Sequence, residues 1–295
     1  QAKRQVGSTI KPFLYTLAMQ EGFTPCDKVV NVPQTFIVGD TTWTPESTDK
    51  PEWIGKTVTL KWGLTKSSNN ISAYLMKQFG PHAMVDMARR LGINSYLDPV
   101  VSLCLGPADI TLFEMVGAYN TYPSKGVHIE PTFVLRIEDK AGNVLGSFTG
   151  RKREAISEST AYLMVNLMQG VVNEGTAARL RYKYVPTGPI AGKTGTTNDQ
   201  SDGWFIGYVP KLTAGVWVGA EDRQVHFEGL ALGGGSNMAL PIWGLFMQKV
   251  LADQSLGISD RDVFTAPPGF SAQLNCNGSD DELDSNAMAN DPFFH

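Results

Sequence analysis

Apolar positions recur at helical spacing near the start of the chain. Phe13, Leu14, Leu17 and Ala18 follow Ser8 at that spacing and Gly22 supplies a stop, so residues 8–20 are predicted as a largely buried helix. Pro12 suits the start of such a helix and would be costly in its middle. Residues 23–55 break the period. Pro, Thr, Asp and Trp are frequent there, with β-prone Val29, Val30, Val32, Phe36, Ile37 and Val38, the pattern of short strands and loops. Helical spacing returns over 57–65, through Val58, Leu60, Trp62 and Leu64. After a polar break at 67–70 it continues over 71–79 and 83–91, divided by Gly80-Pro81. A further helix is predicted over 109–122, with Asp109 as its cap and Gly126 beyond its end. A long amphipathic helix follows over 157–172, ending near Gly175.

The second half turns towards strands. Residues 132–138 and 144–148 flank Lys140-Ala141-Gly142-Asn143 and read as a β-hairpin. Strand-like runs at 190–193, 204–209 and 213–220, with short connections, suggest an antiparallel sheet, and 240–250 closes the pattern with a helix. Helices first and sheet later is an α+β order, not alternating βαβ. After Pro267-Pro268 the chain becomes polar and acidic, with Asp280-Asp281-Glu282, so 267–284 is expected to be a flexible tail. Ser285-Asn286-Ala287-Met288 looks like an expression-vector scar before a start Met, and 285–295 are set apart from the folded unit, 1–266.

Composition narrows the function. With 42% apolar and 18% charged residues, the 295-residue chain can bury a sizeable core. The net charge of −4 and the lack of a long Lys/Arg run argue against a nucleic-acid partner. No apolar run is long enough to span a membrane. His82, His128, His226 and His295 are scattered, so neither a zinc site nor a His-dependent triad is favoured, and no metal or organic cofactor is implied. Cys26, Cys104 and Cys276 have no metal-type spacing and read as buried or free thiols.

Three short motifs carry the chemistry. Ser8-Thr9-Ile10-Lys11 opens the first helix and places a hydroxyl and an amine on one face, about one turn apart. That is a serine nucleophile whose proton can pass to an amine. Ser-x-x-Lys alone is weak evidence; Ser47-Thr48-Asp49-Lys50 also matches, but in a stretch with no helical period, and reads as coincidence. Ser67-Ser68-Asn69 and Lys193-Thr194-Gly195-Thr196 follow in order. Singly, each has a plainer use: Ser8, Ser67 and Asn69 as helix caps, Lys193-Thr194-Gly195 as an exposed strand end. Trp204 and Trp217 read as core.

Together the three motifs are the signature set of penicillin-binding proteins and serine β-lactamases, which the sequence resembles. Arg4-Gln5-Val6-Gly7-Ser8, Gly192 to Asp199, Asp202 to Tyr208 and Gly215 to Gly219 are similar, more narrowly, to the transpeptidase domain of bifunctional class A penicillin-binding proteins, over about residues 1–251. Val6 stands where that family usually has Pro. The resemblance implies the β-lactamase/transpeptidase-like fold, with an antiparallel sheet flanked by helices and the nucleophile at the start of a buried helix. It also implies that Gln1 begins partway into a domain, behind a missing membrane anchor, a glycosyltransferase domain and the first strands of the sheet.

The implied activity is a D,D-transpeptidase at the extracytoplasmic face of the bacterial cytoplasmic membrane. It would cross-link peptidoglycan stem peptides ending in D-Ala-D-Ala and be acylated by β-lactams. Ser8 is the implied nucleophile and Lys11 the base; holding Lys11 half neutral at pH 7 costs about 4.6 kcal/mol, supplied by burial and by a second cation, Lys193. Ser67 would relay a proton and Asn69 hold the substrate amide. Lys193, Thr194 and Thr196 would receive the terminal carboxylate, Gly195 would let the substrate backbone lie close, and the backbone N–H groups of Ser8 and Thr196 would form the oxyanion hole. An extracytoplasmic location would permit a Cys26–Cys104 bridge. The rivals are a serine β-lactamase, for which Glu114 and Glu130 lack a recognisable water-holding loop, and a non-catalytic penicillin sensor.

Overall fold

The computed structural model describes residues 2–276, so the acidic run at 280–282 and the segment 285–295 lie outside the described residues. Strand β1 (Lys3–Gln5) leads through a 3-10 turn, Gly7–Ile10, into α1 (Lys11–Gln20). Every residue of α1 except Gln20 is buried, as befits a helix apolar on all sides, and Pro12 lies in its first turn, where no N–H is missed.

The excursion after α1 holds β2 (Lys28–Val30), β3 (Phe36–Val38) and β4 (Thr41–Trp43), the last two paired as a hairpin. The helix predicted over 57–65 starts late. Thr57, Val58 and Thr59 are all β-branched and form β5 (Thr57–Thr59) against β2. Thr59 then caps α2 (Leu60–Lys66), its hydroxyl accepting from Trp62 N at 3.1 Å. The two helices predicted on either side of Gly80-Pro81 are halves of α3 (Asn69–Arg90), broken where Gly80 takes φ 78°.

Asp109 is not a cap. It lies in β6 (Asp109–Thr111), whose backbone pairs with β1, and Thr111 caps α4 (Leu112–Tyr119) through a capping box with Glu114. Glu114 also accepts from Asn94 N and Ser95 N, so its carboxylate is fully engaged in structure. Strand β7 (Val127–Ile129) pairs with β10 (Lys152–Glu154); between them the expected hairpin forms from β8 (Arg136–Glu138) and β9 (Val144–Ser147), its turn tied by Asp139 to Ala141 N and Asn143 N.

The predicted long helix is α5 (Glu158–Asn173), capped by Ser157 and followed by a short α6 (Arg179–Lys183). The main sheet is antiparallel, in the order β11 (Ala191–Thr196), β12 (Asp202–Val209), β13 (Leu212–Gly219). Every residue of β12 is buried. Helix α5 lies against β11, while α4 and α8 (Ala239–Ala252) lie against β12 and β13; a single-turn α7 (Leu230–Gly233) precedes α8. Trp204 is buried and donates to Gln5 O at 2.8 Å, whereas Trp217 is half-buried with the Arg4 guanidinium over its ring. The α+β architecture thus stands as expected, with several two-stranded sheets around one three-stranded core.

Two expectations are overturned. The tail does not leave the body at residue 267. Pro267 is buried, Phe270 packs edge-on against Tyr162 at 5.0 Å, Leu274 rests on the core, and Lys61 Nζ donates to Leu274 O at 3.1 Å. Spaced apolar residues are enough to hold a segment whose overall composition is polar. The disulfide joins Cys26 to Cys276, across 250 residues, and not to Cys104, which is a buried free thiol.

Candidate active site

The turn that carries Ser8 is positioned by backbone. Val6 N donates to Ala108 O at 3.2 Å and Gly7 N to Gly106 O at 3.0 Å. Gly7 adopts φ 51°, and a Cβ there would meet Thr196 O at 2.5 Å, so only glycine lets this turn lie against the end of β11. Gly7→Ala is therefore expected to lower stability by roughly 2–4 kcal/mol. Denaturant unfolding checks this, and an unchanged midpoint would contradict the reading. Neither the 3-10 turn nor α1 uses a side-chain cap, so Ser8 is not employed as one.

Ser8 lines an open cleft of about 1290 Å³ together with Ser67, Asn69, Thr194 and Thr196. Lys11 and Lys193 lie behind it, both fully buried. Lys11 Nζ donates to Ser67 O at 2.6 Å and to Asn69 Oδ1 at 2.7 Å, and lies 3.4 Å from Ser67 Oγ. Lys193 Nζ donates to the same Ser67 Oγ at 2.8 Å and to Thr194 O at 3.1 Å. The two ammonium groups thus converge on one hydroxyl. Ser67 holds the left-handed conformation, φ 59°, which turns both its carbonyl and its hydroxyl towards the lysines. Capping of α3 falls to Ser68, which leaves Ser67 and Asn69 free of that task.

Burial lowers Lys11 to about 8, against the Cys104 thiol and the Asp49 carboxylate, which both favour its charged form. Lys193 is pushed well below its ordinary range, first by burial and then by the charge of Lys11. Of the two expected means, burial is the chief cause of the lowered Lys11, while Lys193 is not among its causes.

Strand β11 is an edge of its sheet. Thr197 N pairs with Asp202 O, so by antiparallel alternation the backbone groups of Thr194 and Thr196 point away from β12, towards the free edge. Thr194 Oγ1 is hydrogen-bonded to Thr176 Oγ1 at 2.6 Å, and Thr196 Oγ1 accepts from Gly235 N at 3.0 Å. Gly195 serves the protein itself: a Cβ there would meet Thr9 Cγ2 and Val6 O at 2.8 Å, so its bareness seats the strand on the turn that carries Ser8.

Sequence reasoning missed the brace around Ser67. The Ser47–Lys50 match, read as coincidence, lies beside the Ser67–Asn70 turn. Ser47 Oγ accepts from Asn70 Nδ2 at 3.2 Å, Asp49 Oδ2 accepts from Ser68 Oγ at 2.6 Å, and Glu46 O accepts from Asn69 Nδ2 at 2.8 Å. Thr176, which meets Thr194, was also missed. No periodicity marks such loop residues; only the fold brings them in.

Comparison with known proteins agrees with this geometry. The family described as the penicillin binding protein transpeptidase domain matches residues 1–229. Penicillin-binding protein 1A of Aquifex aeolicus is 32% identical over 85% of the chain, and penicillin-binding protein 2D of Bacillus subtilis is 34% identical over 85%. The chain spans 34% and 36% of those two relatives, about a third of their length. Among solved structures, penicillin-binding protein 1A of Haemophilus influenzae superposes with a TM-score of 0.79 at 25% identity, covering 90% of this chain and 44% of that one. The PonA1 protein of Mycobacterium tuberculosis in complex with penicillin V superposes with a TM-score of 0.75 at 25% identity, covering 93% and 76%. With a buried two-lysine centre behind its cleft and this match over most of its length, the chain belongs to the penicillin-binding protein transpeptidase domain family.

Proposed function

We propose that this chain is a serine D,D-transpeptidase that cross-links peptidoglycan stem peptides ending in D-Ala-D-Ala. The observation that carries the reading is the convergence of Lys11 and Lys193 on the Ser67 hydroxyl beside a cleft lined by Ser8. Neutral Lys11 takes the Ser8 proton as Ser8 Oγ attacks the carbonyl of the penultimate residue. The backbone N–H groups of Ser8 and Thr196 receive the developing oxyanion. The proton passes through Ser67 Oγ to the leaving nitrogen, the C–N bond breaks, and D-Ala departs, leaving an ester on Ser8. An acceptor amine then attacks the ester, and its proton returns by the same route. Asn69 orients the donor amide. The Thr194 and Thr196 hydroxyls take the terminal carboxylate, with the Lys193 charge behind them.

A β-lactam enters the same path, but its leaving nitrogen stays tethered, so the ester persists. The site of action is the outer face of the cytoplasmic membrane. The Cys26–Cys276 disulfide suits an oxidising compartment, and no described helix is long and apolar enough to cross a membrane. For the whole protein the reading is a bifunctional class A enzyme that also carries glycosyltransferase activity.

Intact mass over time after mixing with a penicillin tests the reading. A lasting one-to-one adduct on the peptide containing Ser8, with transfer of a D-Ala-D-Ala donor to an amine acceptor, is expected. An adduct that forms and is quickly hydrolysed would indicate a β-lactamase, and a lasting adduct without transfer a penicillin sensor.

A further inference from the structure

The Ser67–Asn70 turn is gripped from outside by one loop segment, residues 46–49, none of which belongs to the three motifs. Glu46 O and Ser47 Oγ receive the side-chain amides of Asn69 and Asn70. Thr48 Oγ1 donates to Ser67 O at 3.4 Å, the carbonyl that also receives Lys11. Asp49 Oδ2 receives the Ser68 hydroxyl at 2.6 Å, and Ser68 is in turn the cap of α3. A left-handed Ser67 persists only where its surroundings over-determine it, and this segment does so.

Asp49 does more than brace. The groups that bond Lys11 or act on its charge are Ser67 and Asn69 from the turn, Lys193 from β11, Cys104 from the turn at 101–105, and Asp49, next in sequence to Thr48, whose hydroxyl shares the Ser67 carbonyl with Lys11. Of these, only Asp49 is a carboxylate. It favours the charged form of Lys11, while Lys193 feels burial and the repulsion of Lys11. When Ser8 gives up its proton, the new charge therefore forms on the lysine whose charged form Asp49 favours.

We propose that Asp49 is a positioning residue for acylation: its carboxylate locks the Ser67–Asn69 turn through Ser68 and is the counter-charge for the ammonium that forms on Lys11. The proposal rests on the transpeptidase reading. Its two roles separate by substitution. Asp49→Asn keeps an acceptor for Ser68 and removes the charge, whereas Ser68→Ala removes the clamp and keeps the charge.

The test is the second-order rate of penicillin labelling, read by intact mass, from pH 6 to pH 10. Asp49→Asn is expected to label about tenfold more slowly on the alkaline plateau. Its acid limb should move down by roughly one pH unit, because Lys11 loses an anion that favours its charge. Ser68→Ala is expected to label more slowly with the limb in place. Asp49→Glu should bring the limb back towards wild type. If Asp49→Asn does not fold, Asp49→Ala removes the same charge and is read in the same way. A limb that stays in place in the charge-removing variant overturns the proposal, whatever the rate, because a mere brace would do that. A wild-type chain that takes no label at Ser8 would sink the transpeptidase reading and this proposal with it, a result distinct from a labelled wild type with an indifferent Asp49.

Discussion

The Lys11→Ala variant is expected to lose penicillin labelling about 10⁴- to 10⁶-fold, and Ser8→Ala, alone or in the double variant, to lose it altogether. On the proposed roles, Ser8 Oγ carries the label and Lys11 takes its proton, so the two act as one unit. Without Lys11 the Ser8 hydroxyl has no group to take its proton, and without Ser8 the lysine has nothing to activate. Intact mass with each single variant and the double measures this. A Lys11→Ala variant that labels at close to the wild-type rate would mean that Lys11 is not the base for Ser8.

The wild-type pH profile belongs to the same prediction. With Lys11 lowered to about 8, labelling should rise roughly tenfold per unit below that pH and level off above it. Folding carries the matching signature. Because the folded value lies below the ordinary 10.5, the folded state holds this proton more weakly than the unfolded chain. The resulting penalty, about 3 kcal/mol, applies in full below pH 8 and is relieved as pH rises towards 10.5. Lys11→Met removes the titrating group, so its stability relative to wild type should be greatest at neutral pH and decline towards pH 10. The substitution also leaves Ser67 O and Asn69 Oδ1 without their buried partner, so the slope and not the absolute stability is the readout. Parallel urea midpoints at pH 7 and pH 10 would show that Lys11 is not held below its ordinary value.

Replacing Cys26 and Cys276 by serine is expected to destabilise the chain by roughly 2–5 kcal/mol. In a protein of this size that lowers the melting temperature by about 5–15 °C. The bridge closes a very long loop, of sequence separation 250, which is where the chain-entropy account expects the largest gain. It also anchors the segment that carries Phe270 onto Tyr162 and Leu274 O onto Lys61, an α2 residue. Helix α2 ends at Lys66, directly before Ser67. Loosening the segment should therefore slow labelling by a small factor as well as lower the melting temperature. A reductant applied to the wild type should reproduce both effects. If the serine variant melts with the wild type, the segment from 267 to 276 is held by its apolar contacts alone.

How far the chain could be read depends on what kind of signal each feature leaves. Helix α5 and strands β11 to β13 follow from hydrophobic period, because each buries one face or all of its length, and burial repeats along the sequence. Thr57–Thr59 and Asp109–Thr111 did not follow, because their strand partners, Lys28–Val30 and Lys3–Gln5, are distant in sequence and pairing overrode local preference. The same distance hid the cysteine pairing: an odd set of three names no partner until residues 26 and 276 are seen side by side.

By itself the sequence determined the residue types and order of the chemistry: a serine one turn before a lysine, a Ser-x-Asn turn, and Lys-Thr-Gly on a strand. Those are local facts, carried by spacing. Tertiary structure alone decided that Lys11 and Lys193 share one hydroxyl, that both are buried deeply enough to lose their protons easily, and that Asp49 braces the turn on which they meet. Proton affinity is set by desolvation and by charges a few ångströms away, and those neighbours come from segments far apart in the chain.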